Sequence, residues 1–273
     1  MRIAQALHQA RVLGVDRLDA QLLLAHLLGR SRSWLLAHDD MLLDATLTQT
    51  LQQQLARRAA GEPLAYVLGE AQFCGLRLRV SPAVLVPRPE TELLVEWALQ
   101  HLPENTSTPV LDLGTGSGAI ALALQQARPQ AQVCASDASA QALAVARGNG
   151  QRHGLHIEWL LGDWWAPLAG RQFALAVSNP PYVAGDDPYL AALGHEPRAA
   201  LTPEGDGLAA LRCIVAGAPA HLLAGGWLLL EHGHDQAVAV KALLADAGFT
   251  QPQTRADLAG LPRCTGARWP GAK

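Results

Sequence analysis

An apolar strand, Val110–Leu113, runs directly into three alternating glycines, Gly114, Gly116 and Gly118, and helix-forming sequence follows at once. Glycines at such a junction let the chain turn tightly and let backbone N–H groups approach a ligand closely. The junction therefore predicts a strand–loop–helix unit. After residue 108 the same alternation continues. Strands are expected at Val110–Leu113, Gln132–Ser136, Ile157–Leu161, Phe173–Ser178 and Trp227–Glu231, with helices over 118–127, 139–152, 206–223 and 235–247. That pattern predicts an α/β fold with a mainly parallel sheet covered on both faces. Two further strands in the tail, Gln253–Ala256 and Arg263–Trp269, are expected at the sheet edge.

Upstream the texture is helical. Ile3–Leu13 and a second stretch from Asp16 to Gly29 carry apolar residues at helical spacing. Ser31 or Ser33 caps a short third helix, and a fourth runs from about Asp44 to Ala60. A bundle of about four helices is expected, without a catalytic motif. Residues 71–80 alternate around Gly75, with Leu76, Leu78 and Val80 on one face, which predicts a β-hairpin. Pro89 suits the first turn of a helix that runs to about His101. Residues 103–109 read as a turn rather than a domain break. The expected organisation is a helical domain over 1–69, a β-hairpin linker over 70–86 and the α/β domain over 87–273.

Composition narrows the function. Of 273 residues, 49% are hydrophobic and 16% charged, enough to bury a sizeable core, and the net charge is −3 without a long Lys/Arg run. Tight sequence-independent binding to a nucleic acid backbone needs several neutralised phosphates, so it is not expected. The four cysteines, Cys74, Cys134, Cys213 and Cys264, form no CxxC pair and read as reduced thiols rather than a zinc cluster or disulfides. The N-terminus lacks a basic segment followed by an apolar core, and no apolar run approaches a membrane span, so a soluble cytoplasmic protein is expected.

Gly114, Gly116 and Ala119 also satisfy the relaxed G-x-G-x-x-A pattern of dinucleotide sites, so the glycines alone leave the ligand open. Two carboxylates favour S-adenosylmethionine. Asp112 stands just before the first glycine, where it would repel a pyrophosphate but favour a cationic amino acid group. Asp137 ends the next strand, placed for both ribose hydroxyls, a feature shared with NAD proteins. The competing reading is that both only cap loops. Asp163-Trp164-Trp165 follows the third strand; a ring there can cover an adenine, and a carboxylate can accept from its exocyclic amine. Trp165 reads as a packing residue.

The strand Phe173–Ser178 ends in Asn179-Pro180-Pro181-Tyr182. The prolines fix φ, and Asn179 and Pro180 both precede a proline and are held extended. The Asn179 side-chain oxygen and the Pro180 carbonyl are thus acceptors set in advance. Two acceptors suit a planar –NH2 group, whose nitrogen is a poor nucleophile that becomes cationic as it attacks a sulfonium methyl. Tyr182 can stack on that group.

With these motifs in place, the chain resembles the HemK-type protein-(glutamine-N5) methyltransferases, the group that modifies peptide-chain release factors. Arg88-Pro89-Glu90-Thr91-Glu92, Asp112 through Gly118, Asn179 through Tyr182 and Glu196-Pro197-Arg198-Ala199-Ala200-Leu201 fall in the family's order, after a helical N-terminal region. The resemblance implies a Rossmann-like class I methyltransferase with a seven-stranded sheet. It implies that Gly114, Thr115, Gly116, Ser117, Gly118, Asp137, Trp164 and Asn179 contact or lie against S-adenosylmethionine, which leaves as S-adenosylhomocysteine. It implies that Asn179, Pro180, Pro181 and Tyr182 hold the substrate glutamine of a Gly-Gly-Gln loop in a release factor, with residues 1–69 recognising that partner. Asn179, Pro180 and Tyr182 are the expected catalytic residues. A monomer is expected, with no stable nucleic acid, membrane or metal partner.

Other residues are less telling. His232 and His234 flank Gly233 and read as a loop pair rather than metal ligands. Arg88 and Glu90 either shape the cofactor pocket or cap a helix, and Glu196 lies either near the substrate or on the surface. Competing functions are methylation of a ribosomal-protein glutamine and adenine-N6 methylation of DNA or RNA, which uses the same tetrad. Residues 1–70 hold seven Arg, seven Asp/Glu and no Lys, a net charge of zero, whereas a nucleic acid recognition domain should be basic.

Overall fold

The computed structural model describes residues 1–105 and 107–271; Thr106, within the turn expected at 103–109, lies outside the described residues. The chain divides into two compact units, Met1–Glu70 and a second that begins at Ala71.

The first unit contains α1 (Ile3–Val12), α2 (Arg17–Leu28), α3 (Arg32–Ala37), α4 (Ala45–Ala59) and α5 (Leu64–Leu68). Asp16, Ser31 and Asp44 cap α2, α3 and α4 by accepting backbone N–H groups, and Gly29 closes α2 in the left-handed region at φ 60°. Ile3, Leu23, Leu24, Leu35, Leu51 and Leu55 are its buried centre. The fifth helix is a departure from the expected four. It spans only five residues between Pro63 and Gly69, too few for apolar periodicity to register.

At the start of the second unit, β1 (Glu70–Phe73) and β2 (Leu76–Arg79) form the hairpin. Its turn residues Cys74 and Gly75 both have positive φ, 46° and 76°, as a two-residue type I′ turn requires. Leu76, Leu78 and Val80 are buried on one face. Residues 80–88, which include Val84-Leu85-Val86, form no strand. A short 3₁₀ turn, Pro89–Thr91, leads into α6 (Glu92–Gln100).

The main sheet is built from β3 (Pro109–Leu113), β4 (Gln132–Asp137), β5 (Glu158–Leu161), β6 (Phe173–Ser178), β7 (Leu222–Glu231), β8 (Thr250–Ala256) and β9 (Pro262–Arg268). Between them lie α7 (Ala119–Ala127), α8 (Ala140–His153), α9 (Arg198–Leu201), α10 (Ala209–His221) and α11 (Ala237–Asp246). The strand order is β5-β4-β3-β6-β7-β9-β8, parallel as far as β7, with β9 antiparallel to both neighbours. One expectation is corrected. Of the two tail strands only β8 is an edge; β9 lies inside the sheet between β7 and β8. The strand β7 also begins earlier than Trp227: Leu222 already pairs with Phe173, and after an irregularity the pairing continues from Trp227 with Leu175.

The chain moves outward from β3 through β4 to β5, then returns to place β6 on the other side of β3. The order therefore reverses between β3 and β6. A crevice forms beyond the carboxyl ends of the strands at such a reversal, because the flanking connections leave in opposite directions. One apolar cluster around Trp97, Leu122 and Leu175 packs one face of the sheet, and a second around Leu111, Leu211 and Leu228 packs the other.

Candidate active site

A cavity of about 320 Å³ opens at that reversal. Its walls come from the loop after β3, the ends of β4 and β5, the start of the segment after β6, and residues 82–91. Gly114, Thr115, Gly116, Ser117, Asp137, Asp163, Trp164, Asn179 and Pro181 all line it.

The glycine loop folds this way because Gly114 and Thr115 donate their N–H groups to the carbonyl of Ser136 at 2.9 and 3.0 Å, and Gly116 donates to Asp137 Oδ2 at 2.9 Å. Gly114 and Gly116 have φ of 71° and 55°, a conformation that side chains resist. Asp137 is held from both sides, since its Oδ1 accepts the Ser139 N–H at 2.8 Å. Each oxygen keeps a second lone pair for a ligand hydroxyl. Trp164 adopts φ 41°, uncommon for a bulky residue, and its ring lies against Gly114. Trp165 turns away: its ring stacks on His221 at 4.9 Å and its Nε1 donates to the Ile214 carbonyl.

Four residues, Gly118, Asp112, Tyr182 and Pro180, stand outside the cavity. Gly118 does not line the cavity. It precedes α7 at φ 84°, and a Cβ there would press on Leu122, Trp159 and Ala146 at 3.1–3.2 Å, so this glycine allows close packing behind the loop. Asp112 is fully buried and also lies outside the cavity. Strand alternation sends it, like Val110, toward α7, where Oδ2 accepts from Thr115 Oγ1 at 2.6 Å and from the Ala121 N–H at 3.2 Å. Through Oδ2 it braces the loop from beneath. Burial, helped by the nearby charge of Asp137, pushes its carboxyl up to about 7, against the lowering effect of those two donors. Tyr182 is half-buried, does not line the cavity, and points its hydroxyl at Glu231 Oε1, 3.4 Å away.

Pro180 is buried beside the cavity wall and does not line it. Asn179 is half-exposed at the wall, and its Nδ2 donates to Thr91 Oγ1 at 3.1 Å. With the amide nitrogen committed, Oδ1 is the end left to accept from a ligand. The tetrad is anchored downstream as well. The Tyr182 carbonyl accepts Gln236 Nε2 at 2.9 Å, and a Cβ at Gly207 would collide with that same carbonyl.

Glu196 is nearly buried, which rules out the surface reading. It accepts the Val86 N–H at 3.0 Å and pairs with Arg88. Arg88 lines the cavity. His232 is buried with Nδ1 against the Gly233 carbonyl and Nε2 against Thr265 Oγ1, both at 2.7 Å, so its two nitrogens are engaged within the fold. Sequence reasoning missed Thr91, which lines the cavity, and Glu231, which meets the Tyr182 hydroxyl behind it. The one available signal was a carboxylate closing the apolar run Trp227–Leu230, where a sheet interior offers it no water.

The reversed sheet, with antiparallel β9 set between β7 and β8, and the glycine loop and strand-end carboxylate around one crevice fit a class I methyltransferase, and residues 90–209 match the model of the Methyltransferase small domain. Residues 1–69 match the PrmC N-terminal domain. The chain is 52% identical to the Release factor glutamine methyltransferase of Bordetella pertussis, over 93% of this chain and 95% of that one. It is 50% identical to the protein of the same name from Burkholderia pseudomallei, over 98% and 97%. The chain belongs to the family of release factor glutamine methyltransferases. Its fold is also that of a 16S rRNA methyltransferase of T. thermophilus solved in complex with AdoMet and guanosine, with a TM-score of 0.55 at 20% identity over 73% of this chain and 49% of that one.

Proposed function

We propose that this chain transfers the methyl group of S-adenosylmethionine to the side-chain amide nitrogen of a glutamine in a peptide-chain release factor. Its family supports the reaction, and the residues of the cavity fit the cofactor. The volume lies in the range of small-molecule sites. Asp137 offers acceptors for vicinal ribose hydroxyls, and Trp164 with Asp163 offers a ring and a carboxylate for adenine. The loop Gly114–Ser117 supplies close backbone. When bound, S-adenosylmethionine supplies an electrophilic methyl on a sulfonium.

The observation that carries the reading is Asn179, on the cavity wall with its amide nitrogen held by Thr91. Asn179 Oδ1 and the Pro180 carbonyl accept the two N–H groups of the substrate amide. This holds the nitrogen lone pair toward the methyl and stabilises the positive charge that grows on nitrogen. One N–H proton is lost to solvent as the C–N bond forms, so the nitrogen needs no strong base beforehand. Tyr182 closes the tetrad, and the Gln236 bond to its carbonyl keeps that end in place.

Residues 1–69 are assigned to recognition of the protein substrate, since every cavity residue lies after residue 81 and residues 1–70 carry no net charge. A chain beginning near Glu70 should bind cofactor yet methylate intact release factor poorly. Equal activity on the intact factor would remove that assignment. We place the protein in the cytoplasm with its substrate; among the described residues no helix is long and apolar enough to cross a membrane. Incubation with methyl-labelled cofactor and fractionated lysate tests the substrate directly. Label should enter the release-factor band, whereas label in ribosomal protein or nucleic acid would redirect the assignment.

A further inference from the structure

One buried carboxyl holds both ends of the tetrad Asn179–Tyr182. Glu231 ends β7, the strand beside β6, and is 1% exposed. Its Oε1 faces the Tyr182 hydroxyl, which donates to it at 3.4 Å. The Thr91 hydroxyl bonds to the same carboxyl. Thr91, also buried, accepts the Asn179 Nδ2 at 3.1 Å.

A hydroxyl has one proton and two lone pairs. With its proton directed to Glu231, Thr91 presents only lone pairs to Asn179, so it can receive an N–H and cannot satisfy a carbonyl oxygen. A flipped Asn179 amide would set Oδ1 against an oxygen with no hydrogen to offer. The donor chain therefore runs one way, from Asn179 through Thr91 to Glu231. Burial pushes the Glu231 carboxyl up to about 7, and an accepting oxygen is present with or without its proton. In the low dielectric of this site the Asn179–Thr91 bond is strengthened, and an unmatched partner is costly.

We infer that Thr91 and Glu231 are positioning residues for methyl transfer, locking the Asn179 amide in the one orientation that presents Oδ1 to the substrate. Glu231 at the same time steadies the Tyr182 end. The inference rests on the proposed glutamine methylation and deepens it, because it explains how one of two nearly isosteric ends of an asparagine is chosen.

The test uses the full chain as Thr91→Val, Thr91→Ser, Glu231→Gln, Asn179→Ala and the Thr91→Val/Asn179→Ala double variant. Turnover and KM are measured on release factor, with S-adenosylhomocysteine affinity by calorimetry. Thr91→Val keeps volume and loses the hydroxyl, so kcat should fall about tenfold or more while S-adenosylhomocysteine affinity stays within about twofold. Thr91→Ser restores the hydroxyl and should recover kcat to within about threefold of wild type. Because Thr91 acts through Asn179, the double variant should be no slower than Asn179→Ala by more than about twofold. A Thr91→Val enzyme that turns over like wild type, or losses that multiply in the double variant, would overturn the inference. Should Thr91→Val not fold, Glu231→Gln carries the test, since it keeps the shape but can turn an N–H toward Thr91. Its kcat should drop about fivefold or more, and an unchanged kcat would overturn the inference. A wild-type enzyme that leaves glutamine unmodified overturns the functional reading itself, and the inference with it.

Discussion

The Arg88 guanidinium and the Glu196 carboxylate meet across 108 residues of sequence, joining the segment before α6 to the segment after the tetrad. The Glu196 side chain is 1% exposed and that of Arg88 is 34% exposed. Neighbours of both, Pro87 and Pro197, line the cavity. The pair thus sets the spacing of two cavity walls.

Removing the exposed partner leaves the buried one uncompensated. Arg88→Ala should destabilise the fold by roughly 2 kcal/mol, less than a fully buried pair would lose because Arg88 is partly solvated. Glu196→Gln keeps an acceptor for the Val86 N–H and should cost less. Thermal unfolding ranks the two, and an Arg88→Ala variant as stable as wild type would show that the pair does not brace the walls.

Asp112 makes stability depend on pH. Its unfolded value is 3.8 and its folded value about 7, raised first by burial. Between these values the folded protein holds a proton that the unfolded chain has released, so stability falls as pH rises from about 4 to 7. Glu231, pushed up to about 7 from 4.5, acts in the same direction. Asp112→Asn still accepts from Thr115 and Ala121. It should remove about one proton's worth of slope, roughly 1.4 kcal/mol per pH unit, and leave the slope due to Glu231. Urea unfolding at several pH values across the window reads this directly. A slope equal to wild type would place the Asp112 titration elsewhere.

Much of this architecture can be read from residue order. Buried parallel strands such as Val110–Leu113 and Phe173–Ser178 are continuous apolar runs, and each stops at residues that suit a turn or a cap. What escapes such reading depends on direction in space. The tail strand Arg263–Trp269 is mixed in polarity, so nothing in its pattern tells an inner antiparallel strand from an edge. A strand-end aspartate looks the same whether it faces a crevice, as Asp137 does, or turns beneath a helix, as Asp112 does. Glu196 leaves surface and interior open until Val86 and Arg88 are seen on its two oxygens. Thr91 gains its meaning only from Asn179, just past the end of β6, and Glu231, at the end of β7, both far from it in sequence.

Cofactor affinity should depend on Asp137. Asp137→Ala removes the expected ribose acceptors together with the support of Gly116 and Ser139. Charge-assisted bonds of this kind contribute about 1.5–3 kcal/mol each, so S-adenosylhomocysteine should bind at least tenfold more weakly. Calorimetry that gave unchanged affinity, or tight binding of NAD by the wild type, would contradict the cofactor assignment.

The central claim is that Asn179 positions a glutamine amide for methylation. Mass spectrometry of release-factor peptides, after timed reaction with wild type, Asn179→Ala and Asn179→Asp, measures it directly. The account predicts methyl on one glutamine with wild type and a rate lower by roughly a hundredfold or more with Asn179→Ala. Asn179→Asp loses the Nδ2 donor that meets Thr91 and places a second acidic group near Glu231, so its rate should fall toward that of the alanine variant. Cofactor affinity should change much less than turnover in both. Near-normal glutamine methylation by Asn179→Ala, at unchanged cofactor affinity, would contradict the account.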